Sequence, residues 1–478
     1  MAQRGPRPFI NTTPLEQPGQ ASRRNARSYA MRGKNSGKRR KHLTKKPCID
    51  SWINGQFAGG LCQDPGPVSQ VQACTSYVPR QVASEWSLFK FAEEPGPHVR
   101  QKLYQFFPIL EHRSYPNQIL ATNFFDRQAS LWFEHLGQSQ TYVHNQLFVA
   151  MSYFDIVVDK VEHIGQGTIS HMTKALSLLQ TDLATIDRAT AEVTIATVIA
   201  FAMVAVVSGD TASAGKHHHG LFKVLNLRGG LASLKSCRYL QIKCCRLDLS
   251  YAMPTCSKPL FFVAENILWD SYLPRSLPVS PTTAIHLLVS DSEPDPIMVN
   301  IWFDLHEFSR AANIAAQTGR KLEPDLLQEV MISVQYRLLN LEYDMEEPHE
   351  LLRVVMLAYS ATILPLLCSQ FGAPASLSCP SFPACLHMFS IANEESSNDK
   401  LKALLWLLII AEISILDVPH MELQLAQTIR ALILNSWDEI LELLKGFLWI
   451  DTLHREPTMK LLSNTIIKTE GVMQCVIS

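Results

Sequence analysis

The chain has 478 residues, 47% of them hydrophobic, and a formal net charge of −1. Such a length holds two or three average domains, or one large helical body with a tail, and the composition excludes collagen-like and low-complexity classes. The small net charge hides an asymmetry: residues 1–47 carry thirteen Arg or Lys against the single acid Glu16, which leaves 30 basic and 43 acidic residues for the rest.

Residues 1–47 have too few apolar side chains to offset the entropy of ordering, so this segment reads as a disordered basic leader. It lacks the apolar run of a secretory signal. Lys38-Arg39-Arg40-Lys41, followed by Lys45 and Lys46, reads as a nuclear localisation signal or as a phosphate-contacting arm. A solvated tail without a role is the plain alternative. Residues 48–98 form a linker with short elements. Gly59-Gly60, Asp64-Pro65-Gly66-Pro67 and Pro95-Gly96-Pro97 mark its turns, and Ser84–Ala92 is predicted as a short helix.

From 99 to 470 helical periodicity dominates, and the spacing predicts an all-α body. Helices are predicted over 99–107, 123–136, 142–160, 168–185, 190–208, 215–228, 231–249 and 258–270. A polar, Pro-rich connection at 274–296 leads to 297–317, 324–343, 348–370, 382–392, 399–416, 422–434, 437–449 and 457–468. In 324–343, Leu327, Met331, Val334, Leu338 and Leu341 form one stripe behind Pro324, a residue tolerated at a helix start. Gly229-Gly230 supplies the positive-φ residue that stops 215–228. Ser436 followed by Glu439 forms a capping box. Leu401–Ile415 is apolar on nearly every side and is expected at the centre of the fold. The apolar runs Val193–Val207 and Ala403–Ala411 are shorter than the ~20 residues of a bilayer span, so no membrane partner is expected.

Eleven scattered cysteines, an odd number, fit reduced thiols in an intracellular protein. Cys237, Cys244, Cys245 and Cys256 have no zinc-module spacing and read as buried small hydrophobes. Gly209 to Lys216 departs from a phosphate-binding loop, with five residues between its glycines and His217 in place of Ser or Thr, and reads as an interhelix loop. Gly165-Gln166-Gly167 reads as a turn. Three consecutive histidines, His217 to His219, cannot converge on one ion from a helix, so one buried, hydrogen-bonded imidazole is expected. The acids Glu342, Asp344, Glu346, Glu347 and Glu350 read as a solvated cluster favoured by a helix N-terminus. No catalytic, cofactor-binding or metal site is expected.

Lys174-Ala175-Leu176-Ser177-Leu178-Leu179, Val193 to Ala200, Gly209-Asp210, one of His217 or His218, and Gly220-Leu221 succeed one another along the chain. Leu227-Arg228-Gly229-Gly230, Leu240-Gln241-Ile242-Lys243, Asp248-Leu249 and Pro259-Leu260-Phe261 follow. In that order these blocks resemble the regulatory domain of fungal-specific transcription factors. Leu405-Trp406-Leu407-Leu408 and Leu444 to Asp451 are similar to its later blocks, and Phe9 to Pro14 with Arg27 to Arg32 to the leader of one subgroup. The relatives' binuclear zinc cluster needs six closely spaced cysteines. Here Cys48, Cys62 and Cys74 are too sparse, so sequence-specific DNA binding is not carried over.

The resemblance implies a nuclear regulator of transcription, of a metabolic or secondary-metabolite pathway, without enzymatic activity. It would act through a homodimer, a transcription-machinery partner or a small-molecule effector, with nucleic acid reached through the basic leader. Homodimerisation is expected to use the apolar side of 422–449. An effector sensor or scaffold that never touches DNA is the first alternative, and a helical enzyme with an unrecognised site the second.

Overall fold

A computed structural model describes residues 89–113, 135–161, 163–274, 282–289, 293–320, 322, 324–345, 347–367, 376–391, 398–417, 421–434 and 436–463. All of them belong to one compact unit, Arg80–Ser478. The basic leader with Lys38, Arg39, Arg40, Lys41, Lys45 and Lys46, the linker up to residue 88, and most of the helix predicted at 123–136 lie outside the described residues. Among the described residues regular structure is helical, with no strand or sheet, as the periodicity predicts.

The first half contains α1 (Pro97–Arg113), α2 (Gln140–Tyr153), α3 (Gln166–Asp182), α4 (Glu192–Val207), α5 (Thr211–Arg228) and α6 (Arg238–Ala252). The second contains α7 (Thr282–Leu288), α8 (Pro296–Thr318), α9 (Pro324–Asn340), α10 (Pro348–Ile363) and α11 (Ser381–Ile391). It ends with α12 (Asn398–Ile413), α13 (Glu422–Ala431), α14 (Trp437–Leu444) and α15 (451–463). Two apolar cores result, and α6 serves both. Leu240, Cys244 and Leu247, at i, i+4 and i+7, enter the first core. Ile242, Cys245 and Leu249, at i, i+3 and i+7, enter the second. A helix with apolar stripes on two sides must lie between two bodies.

The centre of the second core is α12, where Ala403 to Ala411 are all buried. Its Trp406 meets Trp302 of α8 edge to face, with centroids 5.6 Å apart, and donates its indole N–H to Leu448 O at 2.9 Å. The stop at Gly229-Gly230 has φ of +104° and +83°. Ser436 Oγ accepts from Glu439 N at 3.2 Å, as the capping box requires.

Several expectations need correction. Residues 89–92 are not helical, and α1 runs on through Pro108 to Arg113. Gly209–Lys216 is not a loop throughout, because Asp210 caps Ser213 N at 3.0 Å and α5 starts at Thr211. Gly165 is the N-cap of α3 rather than part of a free turn. The connection 274–296 contains α7, whose Ile285 and Leu288 reach the second core. Much of the apolar side of 422–449 packs inward through Leu425, Ile440, Leu441, Leu444 and Leu448, while Leu423 and Ile433 stay exposed.

The largest departure is 258–270, which is an irregular strap with a single 3₁₀ turn at Ala264–Asn266. Side chains from three helices take up its backbone groups. Asp248 accepts from Leu260 N and Phe261 N, Asn340 donates to Phe262 O at 3.2 Å, and Asn300 donates to Trp269 O at 3.2 Å. Such partners replace the intrahelical bonds that local periodicity assumed.

Candidate functional site

His218, Leu260, Phe261 and Tyr336 meet around one carboxylate, that of Asp248. Asp248, on α6, is fully buried and accepts four hydrogen bonds. Oδ1 receives His218 Nε2 at 2.7 Å and Leu260 N at 2.9 Å. Oδ2 receives Phe261 N at 3.0 Å and Tyr336 Oη, from α9, at 2.8 Å. The expected single buried imidazole is therefore His218, with the ring of Tyr251 4.8 Å away and that of Phe261 at 5.8 Å. Burial raises the pKa of Tyr336 well above its ordinary value, with Cys245 and Asp248 adding to the effect. The phenol stays protonated and can donate.

This grouping has the residue types of proton-transfer chemistry, but its geometry is that of an anchor. Burial pushes the Cys245 thiol up to about 12, and Cys244 also rises well above its ordinary value. Neither thiol is a nucleophile at neutral pH. All four bonds to Asp248 go to groups that fix α5, α9 and the strap onto α6. A carboxylate with four donors is well compensated for its burial.

Two further buried acids act alike. Asp304 of α8 pairs with Arg337 of α9 at 2.5 Å, both almost fully buried, and accepts from Tyr272 N and Leu273 N at 2.9 Å each. Arg337 also donates to Asp270 O at 3.2 Å. Glu350, read from sequence as part of a solvated cluster, is buried. It forms a two-bond pair with Arg353 at 2.6 and 2.7 Å and accepts from Ser381 Oγ at 2.8 Å. Of its acidic neighbours, Glu342 and Asp344 are exposed, and Glu342 pairs with Lys258 at 2.7 Å. Arg228, in the Leu227-Arg228-Gly229-Gly230 block, reaches Thr190 O and Glu192 and so ties the end of α5 to the start of α4.

A second feature lies beneath α4. Two small open clefts of about 50 and 30 Å³ share Ala200, Met203 and Lys243. The first is walled by Phe106, Val149, Tyr153 and Val204, with Gln146 and Ser152 as polar groups. Lys243 belongs to the Leu240-Gln241-Ile242-Lys243 block. Desolvation, with the neighbouring Arg246 charge second, lowers its ammonium to about 7. The lining is that of a small-molecule site, an apolar wall with one amine and a few hydroxyl and amide groups, but each cleft is far smaller than the roughly 300 Å³ such a site needs.

Sequence reasoning found one buried imidazole but not its acid, because a partner 30 residues away leaves no local signal. It missed Tyr336, Asp304–Arg337 and the placement of Lys243 in the clefts for the same reason. It also misread Cys256, which is not a thiol but is bonded to Cys379. Lys38 to Lys41, Lys45 and Lys46, expected to serve nuclear targeting, lie outside the described residues. Among the described residues no helix is long and apolar enough to cross a membrane, and no three metal-type ligands are grouped. No protein-family profile, curated protein or solved structure matches the chain.

Proposed function

We propose that the chain is a transcription regulator-like protein of the fungal-specific type, acting in the nucleus on a metabolic or secondary-metabolite pathway. The observation that carries this reading is the Asp248 anchor. His218, Asp248, Leu260 and Phe261, drawn from three of the blocks that resemble the family, are bonded to one another in space. An effector would have to widen the two clefts beneath α4, where Lys243 offers a polar contact. The basic leader carries nuclear entry through Lys38, Arg39, Arg40 and Lys41, with Lys45 and Lys46 beyond them.

The test is chromatin occupancy of the tagged protein set against transcript changes on its deletion. Occupancy at promoters whose transcripts change is the expected result. Exclusion from the nucleus overturns the reading. Replacing Lys38-Arg39-Arg40-Lys41 with alanines should abolish nuclear accumulation. If the purified chain binds duplex DNA with a steep salt dependence that this variant loses, the leader also contacts phosphate. The effector-sensing alternative requires the same widening of the clefts. A nuclear protein with no occupancy that stabilises on ligand addition would fit that alternative instead.

A further inference from the structure

The sulfurs of Cys256 and Cys379, 123 residues apart in sequence, are bonded, with Cα atoms 6.1 Å apart. The free cysteines among the described residues, Cys237, Cys244, Cys245 and Cys385, are buried. Desolvation raises the pKa of each, so they remain protonated and slow to react. Cys256 is placed differently. It is half-buried between the exposed residues Thr255 and Ser257, within reach of a dissolved thiol or disulfide. Cys379 is only 5% exposed.

The bond joins three chain segments. Cys256 closes the short 3₁₀ helix Met253–Thr255 that follows α6, and it holds a left-handed φ of +49° that side chains rarely adopt. Cys379 belongs to the connector 376–380 ahead of α11. Backbone hydrogen bonds hold that connector: Ser378 N donates to Pro254 O at 2.9 Å, Leu377 N to Ile415 O at 2.7 Å, and Asp417 N to Leu377 O at 3.1 Å. Leu377 itself is fully buried. The crosslink therefore ties the end of α6 to the entry of α11 and the exit of α12, at a junction also held by loop hydrogen bonds and by the buried side chains of Met253, Leu377, Phe382 and Leu416. It is also attached to the end of α6, whose buried side chains serve both cores.

We propose that Cys256–Cys379 is a reversible thiol–disulfide site that clamps the 376–380 connector to the end of α6, with glutathione as the redox partner. In the oxidising direction the Cys256 thiolate attacks glutathione disulfide. A mixed disulfide forms and one glutathione thiolate leaves. The Cys379 thiolate then attacks the Cys256 sulfur, forming the protein bond and expelling the second glutathione. Two protein thiols have lost two electrons and two protons, and one glutathione disulfide has become two thiols. Reduction reverses both steps, with the first attack on the accessible Cys256 sulfur. The proposal rests on the nuclear reading only for its cellular meaning, because a nuclear protein meets a reducing pool in which such a bond is transient.

The test equilibrates the purified full-length chain in glutathione buffers from fully reduced to fully oxidised. The remaining thiols are then alkylated and mapped by mass spectrometry. Cys256 and Cys379 should become alkylatable together as the buffer turns reducing, and protect each other together on return. Amide exchange over 376–380 should rise at least tenfold in the reduced protein, and equally in a Cys379→Ser variant without reductant. A bond that survives excess reduced glutathione in the folded chain is a fixed structural disulfide and overturns the proposal. So does a pair that stays as thiols or mixed disulfides in oxidised glutathione, or exchange at 376–380 that does not change. None of these readouts depends on DNA, effector or localisation, so failure here is distinct from failure of the regulator reading.

Discussion

Replacing Asp248 with Asn tests whether one buried carboxylate organises α5, α6, α9 and the strap. The native side chain accepts two donors on each oxygen: His218 Nε2 with Leu260 N, and Phe261 N with Tyr336 Oη. An asparagine keeps one acceptor oxygen, and its amide must face the other pair whichever way it flips. In that pair the imidazole can change tautomer, or the phenol can rotate, and accept from the amide, so only the backbone N–H is stranded. A buried donor left without an acceptor costs roughly 1–3 kcal/mol, which predicts a loss of about 2 kcal/mol. Urea denaturation followed by far-UV circular dichroism measures the loss, and amide exchange reports whether Leu260 and Phe261 lose protection first. In a Tyr336→Phe background one of the four bonds to the carboxylate is already gone. There Asp248→Asn should cost less, by roughly 1–2 kcal/mol, because residues sharing one network are non-additive. A cost for Asp248→Asn below about 1 kcal/mol would refute the anchor. Strict additivity of the two substitutions would refute it as well.

His454 is buried, accepts from Ile450 N at Nδ1 (3.0 Å) and contacts Thr362 Oγ1 through Nε2 at 2.8 Å, and burial lowers its pKa to about 3. The folded state thus binds fewer protons than the unfolded state between about pH 3 and the ordinary value near 6.5, so stability falls as pH drops through that window. From pH 7 to pH 5 the loss is about 2 kcal/mol, read as a lower urea midpoint. A His454→Gln variant should lack this component, and an unchanged acid profile would count against it. Asp304→Asn should cost roughly 3–5 kcal/mol by stranding Arg337 in the core. The double replacement of both by apolar residues should cost less than that single change, unless the backbone N–H groups of Tyr272 and Leu273 dominate. Gly229→Ala, at φ +104°, should lower stability by about 1–2 kcal/mol without changing the fold, as measured by thermal unfolding.

The sequence by itself determined the helical body, because a 3.6-residue apolar stripe and its stop signals are local. Leu327, Met331, Val334 and Leu338 sit on the buried side of α9, Gly229-Gly230 ends α5, and Ser436 caps α14, each within a few residues of the signal that predicts it. The all-round apolarity of α12 gave away its central place in the same manner. A single His in the run at 217–219 was also legible as buried, since a helix can turn only one of three neighbours squarely inward. Tertiary structure alone decided the rest. The strap over 258–270 has helical spacing, yet its backbone is claimed by Asp248, Asn300 and Asn340, which lie 12 to 78 residues away. Glu350 looked solvated until Arg353 and Ser381 closed over it. Cys256 looked like any other thiol until the fold placed Cys379 beside it. Each is a contest between a local bond and a distant one, and the distant partner is positioned only after the helices have packed.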